Sequence, residues 1–389
     1  MSKLKAIGCI CLTVCLLVAC FPLAISASPS ESEPSVSAQS AILIEAASGE
    51  TVMAKNADFP LPMASTTKIM TALVALELAS PETEITVDPA AVGIEGSSVY
   101  LTENEVLTLE QLLYALLLES ANDAATAIAI GLSGSVEAFA DEMNRAANRM
   151  GLCQTHFTNP HGLDDAEHFT TAKELAQIAR EALQHELLRT IVSTRKITVP
   201  RGDGSNGVRL LINHNKLLRL YSGCIGMKTG FTKKSGRCLV SAAERDGVLL
   251  IAVTLHAPND WNDHTRMLDY GFSRYTSVLL CQSEELLLPI SVVGGTDSYV
   301  MVSNPSALRL TLPAEHGTIS ETLELPRFVY ATVRNGEILG KAVYRCDTNG
   351  DGTREIIGEV SLIACYSVKQ NHPKKSFWQW LWGFFQRFK

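Results

Sequence analysis

The amino-acid sequence predicts an α/β protein of the α+β kind, in which helices flank one antiparallel sheet. Strand-like segments occur at residues 41–54 and again at 196–255, and a mainly helical region is inserted between them. Strands at both ends of a helical region favour a single sheet covered by helices. From about residue 285, short β-rich segments alternate with Gly, Asn and Asp turns, which predicts a small all-β domain.

The composition is that of a globular protein with a large core. Of the 389 residues, 46% are hydrophobic and 19% are charged, and this length is sufficient for two domains. The formal net charge of −8 argues against general nucleic-acid binding, which requires a basic surface. No nucleic-acid partner is therefore expected.

The first 27 residues have the pattern of an export signal. Two lysines precede an apolar run over residues 6–25, and the small residues that follow predict cleavage after Ser26 or Ala27. The sequence Leu-Val-Ala-Cys that ends at Cys20 also resembles a bacterial lipobox, although the apolar residues after it argue against lipidation. A retained N-terminal anchor helix is the third possibility.

The first predicted domain covers residues 39–280, after a flexible Ser-, Pro- and Glu-rich leader over residues 28–38. A helix is expected to begin at Thr108, which has the residue type of an N-cap. Apolar residues at helical spacing predict further helices at 65–78, 121–130, 136–150 and 261–275. Apolar and β-branched segments predict strands at 41–45, 51–54, 196–200, 226–229, 238–244 and 248–255.

The predicted β domain covers residues 285–368. Its strands are expected at 298–302, 308–312, 328–333, 342–344 and 359–366. The loop from Asp347 to Gly352 resembles an EF-hand calcium loop, but Gly358 occupies the position of the bidentate glutamate. A hairpin turn is therefore the favoured interpretation of this loop.

The last predicted element is a basic, aromatic and amphipathic helix over residues 369–389. Apolar residues recur on one helical face, at Phe377, Trp380, Leu381, Phe384, Phe385 and Phe388. Positive charge is supplied by Lys374, Lys375, Arg387 and Lys389. Because a span takes about 20 residues, residues 377–389 are predicted to lie on a membrane surface as a peripheral anchor. Docking on the protein itself is the alternative.

No metal or organic cofactor is indicated. Four of the ten cysteines lie inside the export signal, and the other six form no C-x-x-C pair and no Cys/His cluster at zinc spacing. Export would permit a disulfide, for which Cys224 and Cys238 are close enough in sequence. Apolar core positions are the favoured interpretation of most of these cysteines.

Three short motifs carry the candidate chemistry. They are S-x-x-K at residues 65–68, S-x-N at 120–122 and K-T-G at 228–230. S-x-x-K alone carries little information because it also occurs elsewhere in the chain, whereas S-x-N and K-T-G each occur once. Together the three motifs are typical of penicillin-binding proteins and class A β-lactamases.

The S-x-x-K spacing suits a serine nucleophile that is activated without histidine. A serine hydroxyl must lose its proton to a nearby base during attack. On a helix, the Lys68 amine lies one turn along the same face as Ser65, and a buried lysine near other cations has a lowered pKa. The unpaired backbone amides at the helix start suit an oxyanion. Ser65 is the predicted nucleophile and Lys68 the predicted base.

The other two motifs predict substrate contacts beside this nucleophile. Ser120 is expected to relay a proton, and Asn122 to hydrogen-bond a substrate amide. The K-T-G motif predicts an edge strand, to which a peptide can add by main-chain hydrogen bonds. Lys228 and Thr229 would then hold a C-terminal carboxylate, and Gly230 would leave room for close approach. A binding site for the free C-terminal carboxylate of a peptide indicates exopeptidase chemistry.

Longer segments around these motifs resemble the low-molecular-mass D-alanyl-D-alanine carboxypeptidases, which are serine peptidases of the penicillin-binding-protein superfamily. The resembling segments are 62–71, 118–125, 159–164 and 226–232, and the likeness extends over essentially the whole mature chain. It implies a β-lactamase/transpeptidase-like fold and removal of the terminal D-alanine from peptidoglycan stem pentapeptides. It also implies β-lactams as inhibitors and a location at the outer face of the bacterial cytoplasmic membrane.

The resemblance implies roles for individual residues. Catalytic roles fall to Ser65, Lys68 and Ser120. Substrate-binding roles fall to Asn122, Lys228, Thr229, Gly230, Phe231 and His161. The backbone N–H groups of Ser65 and Phe231 would form the oxyanion hole, whereas His161 either lines the approach to the cleft or pins its own loop.

Three alternatives to a carboxypeptidase were weighed from the sequence. A class A β-lactamase needs a loop glutamate, usually in an E-x-x-L-N stretch, and residues 159–164 occupy the corresponding region instead. A D,D-endopeptidase acting on peptidoglycan cross-links shares the three motifs and stays open. An inactive wall-binding scaffold would have no need for the complete set of motif residues.

Overall fold

The structure is a computed structural model that describes residues 32–347 and 352–371. The predicted export signal, the centre of the calcium-like loop at 348–351 and residues 372–389 of the predicted anchor helix lie outside the described residues. Among the described residues, no helix is long and apolar enough to cross a membrane.

The described helices and strands are numbered along the chain. The helices are α1 (Lys68–Leu78), α2 (Leu109–Leu118), α3 (Asn122–Ser133), α4 (Val136–Arg149), α5 (Ala172–Gln184), α6 (Glu186–Ser193), α7 (Leu217–Leu220) and α8 (Asp260–Arg274). The first strands are β1 (Ser40–Glu45), β2 (Thr51–Lys55), β3 (Glu84–Thr86), β4 (Val106–Thr108), β5 (Lys196–Pro200), β6 (Val208–Ile212), β7 (Cys224–Gly226), β8 (Thr229–Thr232), β9 (Gly236–Arg245) and β10 (Val248–Leu255). The later strands are β11 (Tyr275–Cys281), β12 (Leu288–Val293), β13 (Tyr299–Ser303), β14 (Leu308–Pro313), β15 (Ser320–Glu324), β16 (Phe328–Tyr330), β17 (Ile338–Cys346) and β18 (Glu355–Ala364).

The central element is a six-stranded antiparallel sheet. Its order is β2-β1-β10-β9-β7, and β8 pairs with β9 next to β7. Successive side chains of β1 face opposite sides, as expected for a strand. Ile42 and Ile44 join the core beneath the inserted helices, whereas Ala41 and Leu43 join the core beneath α8. The predicted sheet covered by helices is confirmed.

The helix at Thr108 begins with a capping box. The Thr108 side chain accepts a hydrogen bond from the Gln111 backbone N–H, and the Gln111 side chain accepts one from the Thr108 backbone N–H. Both bonds satisfy donors that a helix start leaves unpaired. The predicted cap is therefore confirmed.

Two boundaries differ from the sequence-based expectations. The strand predicted at 226–229 is interrupted, because Met227 has a φ of 99° and separates β7 from β8. The leader predicted at 28–38 is not flexible throughout, because Val36 and Ala38 are buried against the sheet. These two side chains are apolar, so their burial removes apolar surface from water and fixes the end of the leader.

A second six-stranded sheet follows the central one in the chain. Its strand order is β15-β17-β18-β13-β12-β16, with every pairing antiparallel except the parallel pair of β12 and β16. A separate ladder joins β11 and β14. Apolar side chains of residues 280–368 form two clusters of their own.

The cysteines of the described residues are free thiols. Cys224 lies opposite Ala243, and Cys238 lies opposite Gly230. The candidate disulfide between Cys224 and Cys238 is therefore not formed, because these two residues occupy different positions along β9 and its neighbours.

Candidate active site

Ser65 lies in a single 3-10 turn, Ala64–Thr67, that leads directly into α1. The sequence predicted that α1 would begin at Ser65, whereas it begins at Lys68. Ala64 has a φ of 48°, in the region that only a few non-glycine residues adopt. The side chains of Thr66 and Thr67 hold the turn by donating to the carbonyls of Met63 and Ala64.

Lys68 is fully buried and lies beside the nucleophile. Its Nζ is 3.0 Å from Ser65 Oγ, 2.7 Å from Asn122 Oδ1 and 2.6 Å from the His161 carbonyl oxygen. These three acceptors would take all three N–H groups of a charged lysine. A neutral amine keeps two N–H donors for Asn122 and His161, and its lone pair can then face the Ser65 hydroxyl.

The electrostatics around Lys68 favour that neutral amine. Burial lowers the pKa of Lys68 well below its usual range, the positive charge of Lys228 lowers it further, and the Asp123 carboxylate opposes both effects. Desolvation disfavours the charged form of any buried base. The lowered pKa favours the neutral amine, which is the form that can accept the Ser65 proton.

The second motif lies in the short connection between α2 and α3. Ser120 has a φ of 60° and makes no side-chain hydrogen bond within the described part of the chain. Asn122 begins α3 and is buried, and its Nδ2 donates to the Glu95 carbonyl at 2.6 Å. In this structure the Asn122 amide is therefore occupied by the protein itself, with Lys68 on one side and Glu95 on the other.

The third motif lies on the sheet edge, as predicted. Lys228 pairs through its backbone with Val240, and β8 continues from Thr229 along β9. The Lys228 side chain is only 1% exposed, and its Nζ donates to the Thr229 carbonyl at 2.8 Å. Burial lowers the pKa of Lys228 to about 7. The Lys228 amine, which was expected to bind the substrate carboxylate, thus lies beneath the strand and not on the cleft surface.

Gly230 brings β8 against the nucleophile. A Cβ added to Gly230 would lie 3.1 Å from the Ser65 backbone nitrogen and 3.1 Å from Ala64 Cβ. This close approach explains the glycine. The next residue, Phe231, has a 65% exposed side chain, so the side chain does not close the site.

His161 contributes its backbone carbonyl, which accepts the hydrogen bond from Lys68. Burial, the largest cause, lowers the pKa of the His161 ring to about 3, so the imidazole is neutral. The Leu163 backbone N–H donates to His161 Nδ1 at 3.2 Å, which is the loop-pinning role weighed from the sequence. Gly162 lets this loop pack on the nucleophile turn, since a Cβ there would lie 2.0 Å from the Ala64 carbonyl oxygen.

One cavity of about 330 Å³ brings most of these residues together. Five predicted residues line it: Ser65, Ser120, Thr229, Gly230 and Phe231. Six others were not predicted: Ser97, His214, Lys216, Arg237, Asp260 and Trp261. None of the six lies in a motif, and only the pairing of β8 with β9 could have indicated one of them, Arg237.

No metal site is evident in the portion of the chain that the structure describes, because no three His, Cys, Asp or Glu side chains cluster there. The side chains around Ser65 are a lysine amine, an amide and hydroxyl groups. These groups suit proton transfer and acyl transfer.

The fold and the site define a serine hydrolase of the penicillin-binding-protein class, in which a buried lysine lies beside the serine. Residues 27–259 match the peptidase S11 family of D-alanyl-D-alanine carboxypeptidases. The chain belongs to this family of serine peptidases, and D-alanyl-D-alanine carboxypeptidase activity is its function.

Relatives of known function are similar to this chain over most of its length. D-alanyl-D-alanine carboxypeptidase DacF of Bacillus subtilis (strain 168) is 29% identical over 356 residues, which cover 89% of this chain and 88% of the relative. A D-alanyl-D-alanine carboxypeptidase of Streptomyces sp. (strain K15) is 32% identical over 289 residues, which cover 70% of this chain and 99% of the relative.

A solved structure has the same fold. Penicillin binding protein 5 from Haemophilus influenzae superposes with a TM-score of 0.64 at 26% identity, covering 88% of this chain and 100% of that chain. The family and this neighbour support a peptidoglycan peptide as substrate and β-lactams as ligands.

Proposed function

We propose that this chain removes the terminal D-alanine from peptidoglycan stem pentapeptides through an acyl-enzyme at Ser65. The observation that carries the proposal is the 3.0 Å separation of Lys68 Nζ and Ser65 Oγ, at a buried lysine whose pKa is lowered. Ser65, Lys68 and Ser120 are then the catalytic residues.

The reaction has two acyl-transfer steps. Lys68 takes the Ser65 proton as Oγ attacks the carbonyl carbon of the penultimate D-alanine. The peptide C–N bond breaks, the leaving D-alanine nitrogen receives a proton by way of Ser120, and an ester forms at Ser65. Water, deprotonated by Lys68, then attacks the ester, and Ser65 recovers its proton as the shortened peptide leaves.

The backbone N–H groups of Ser65 and Phe231 are the proposed oxyanion donors. The close approach of Gly230 to the Ser65 nitrogen supports this assignment, because it holds the two segments side by side. Donors fixed in this way stabilise the charge that develops on the carbonyl oxygen.

The substrate contacts follow from the edge strand. The peptide would lie along β8, where Thr229 and Gly230 line the cavity. Asn122 would have to exchange a bond to Lys68 or Glu95 for one to the substrate amide. Lys228 lies beneath β8 and would attract the substrate carboxylate by its positive charge.

The first experiment measures D-alanine release from a stem pentapeptide ending in D-Ala-D-Ala. It uses residues 28–370, the Ser65→Ala variant and, as a matched control, Ser97→Ala, since Ser97 lines the same cavity without a proposed role. We expect release by the wild type and by Ser97→Ala, and none by Ser65→Ala.

Other outcomes of that experiment separate the alternatives. No release, with labelled penicillin still bound at Ser65, would favour the endopeptidase or another acyl acceptor. Neither release nor penicillin binding would favour an inactive wall-binding scaffold and contradict the proposal.

We further propose that the protein is exported and attached peripherally to the outer face of the bacterial cytoplasmic membrane. The export signal over residues 1–27 and the aromatic, basic segment 377–389 support this location. A chain that ends at Gln370 should leave the membrane fraction, and a full chain with Trp380→Ser and Phe384→Ser should bind membranes more weakly. Sedimentation of the shortened chain with membranes would contradict the peripheral anchor.

A further inference from the structure

The second sheet carries a row of exposed apolar side chains at the end formed by β13, β12 and β16. Tyr299 of β13 and Phe328 of β16 both lie opposite Ser291 of β12. Tyr330 lies opposite Val293, two residues further along the same strands. Cross-strand partners and alternate residues of a strand share one face of a sheet. Tyr299, Phe328, Tyr330 and Val293 therefore lie on one face, and we call these four residues the aromatic patch.

The aromatic patch faces away from the apolar core of its own sheet. Its four side chains are between 46% and 70% exposed, and the Phe328 and Tyr330 rings meet edge to face with their centres 5.4 Å apart. The alternate residues of β12 and β13 are buried in the core on the other face: Ile290, Val292, Val300 and Val302. A contiguous apolar patch that is left outside a core marks an interaction surface.

The same face is charged at the other end of the sheet. Lys341 of β17 forms salt bridges with Glu324 of β15 and Glu359 of β18. Lys341 alternates with Ala342, which is buried in the core, so its side chain lies on the outward face. The outward face is thus adapted to water at one end, and its apolar character is confined to the aromatic patch.

The described chain ends beside the aromatic patch. The Asn371 backbone N–H donates to the Gly294 carbonyl at 2.8 Å, and Gly294 directly follows Val293 of the patch. The predicted anchor begins at Phe377, six positions after Asn371. Because an extended chain spans at most about 3.6 Å per residue, Phe377 lies within about 22 Å of Asn371. The patch and the predicted anchor are therefore close enough to reach one surface.

The chemistry of the aromatic patch suits the surface of a bilayer. Tyrosine is enriched at the membrane–water interface, where its ring lies at headgroup depth and its hydroxyl stays in water. Two exposed basic residues lie next to the patch, since Arg327 directly precedes Phe328 and the Lys369 carbonyl accepts from the Thr296 N–H. Asp297 is the acid of the same loop. Aromatic and basic residues are also what the predicted anchor contains, so both features fit one anionic lipid surface.

We propose that the aromatic patch is a second membrane contact, which the folded part of the chain makes in addition to the predicted anchor. This inference rests on the proposed peripheral location and is independent of the carboxypeptidase reaction. Once the anchor is bound, the patch is held near the same lipid surface, so even a weak contact adds to the overall affinity. Two contacts also fix the orientation of the second sheet, whereas a single anchor leaves it free to turn.

The test measures binding of residues 28–389 to vesicles made of equal amounts of phosphatidylglycerol and phosphatidylethanolamine. Co-sedimentation gives the partition coefficient of the wild type, of the double variant Phe328→Ser/Tyr330→Ser and of Tyr330→Trp. Ile356→Ser is the matched control, because Ile356 is 55% exposed on the same second sheet, near the start of β18 and outside the patch. Penicillin labelling at Ser65 and the unfolding temperature show whether each variant is folded.

We expect the double variant to bind the vesicles about 10-fold more weakly, because it removes most of the apolar area that the patch would bury. Tyr330→Trp should bind at least as tightly as the wild type, since tryptophan also prefers the interface. Ile356→Ser should change the partition coefficient by less than about 2-fold. If the double variant unfolds at a lower temperature, Tyr330→Ser alone should still weaken binding by about 3-fold.

The other outcomes overturn the inference in distinguishable ways. Equal binding by the wild type and the double variant would show that the patch does not contact the membrane. Tighter binding by the double variant would show that residues 377–389 dock on the patch and are released by the substitutions. An equal loss in Ile356→Ser would show that the effect is not specific to the patch. A wild type that does not bind the vesicles would refute the proposed peripheral location itself.

Discussion

At the scale of single residues, the site depends on two buried lysines, Lys68 and Lys228, whose charges interact. Lys68 is 0% and Lys228 is 1% exposed, although burial of an unpaired charge is costly. Each lysine responds by a lowered pKa, and the charge of Lys228 adds to the effect at Lys68. Burial thus favours the neutral Lys68 amine, which is the form that can take the Ser65 proton.

The coupling between the lysines predicts the pH dependence of acylation. Lys68 must be neutral to act as the base, so the rate of Ser65 acylation by penicillin should rise with pH as Lys68 loses its proton. Lys228→Met removes a positive charge that lowers the Lys68 pKa. That pKa then rises, and the acid limb of the profile should move to higher pH.

Stopped-flow measurement of the acylation rate constant against pH checks this shift. Lys341→Met is the control, because Lys341 is paired with Glu324 and Glu359 on the second sheet, and it should leave the limb in place. A limb that stays, or that moves to lower pH, in Lys228→Met would contradict the coupling.

At the scale of elements, the nucleophile turn is positioned by segments from distant parts of the chain. Gly230 of β8 and Gly162 of the 159–164 loop both pack closely against the turn. The turn therefore has little room to move, and small shifts of reacting groups have large effects on rate.

Gly230→Ala should disrupt this arrangement. The added Cβ would lie 3.1 Å from the Ser65 nitrogen, so β8 or the turn must shift by a few tenths of an ångström. We expect penicillin acylation to slow by about 10- to 100-fold, because misplacement on this scale impairs alignment. Gly134→Ala is the control: it has a φ of 82° and open space around it, so it should lower stability and leave acylation unchanged.

Thr108→Ala tests a second element, the helix that precedes Ser120. The substitution removes one half of the capping box and leaves the Gln111 backbone N–H without its partner. The free energy of unfolding should fall by about 1 kcal/mol, as measured by denaturant titration. An unchanged midpoint would indicate that the cap does not stabilise α2.

At the scale of the whole molecule, the described chain has separate apolar cores. Two clusters lie within residues 36–268, around the central sheet, and two others lie within residues 280–368. The division into domains at residues 39–280 and 285–368 stays a prediction from the sequence, and the separate apolar clusters are the reason to test it.

Calorimetry tests this division in the intact protein. We expect two unfolding transitions, of which only one moves to higher temperature after acylation by penicillin, because the ligand stabilises only the unit that binds it. The Ser65→Ala variant should show the same two transitions without the shift. A single transition that moves as a whole would contradict two independent domains.

Local spacing determined much of what the sequence revealed. The hairpin of β1 and β2, the capped helix α2 and the placement of Lys68 beside Ser65 all depend on residues a few positions apart. Such contacts follow from the periods of helices and strands, so they are readable from the sequence. The three motifs therefore identified the nucleophile region and the class of enzyme.

The tertiary structure decided which groups contact the Lys68 amine and which side chains line the cleft. Lys68 contacts Asn122 and His161, which are 54 and 93 positions away, and no local pattern specifies such pairs. The burial of Lys228 beneath β8 and the break at Met227 likewise depend on how the strand packs. Arg237 enters the cavity only because β9 pairs with β8 in one register and α8 supplies Asp260. Long-range packing sets these contacts, and that is why the sequence determined the chemistry while the fold decided its surroundings.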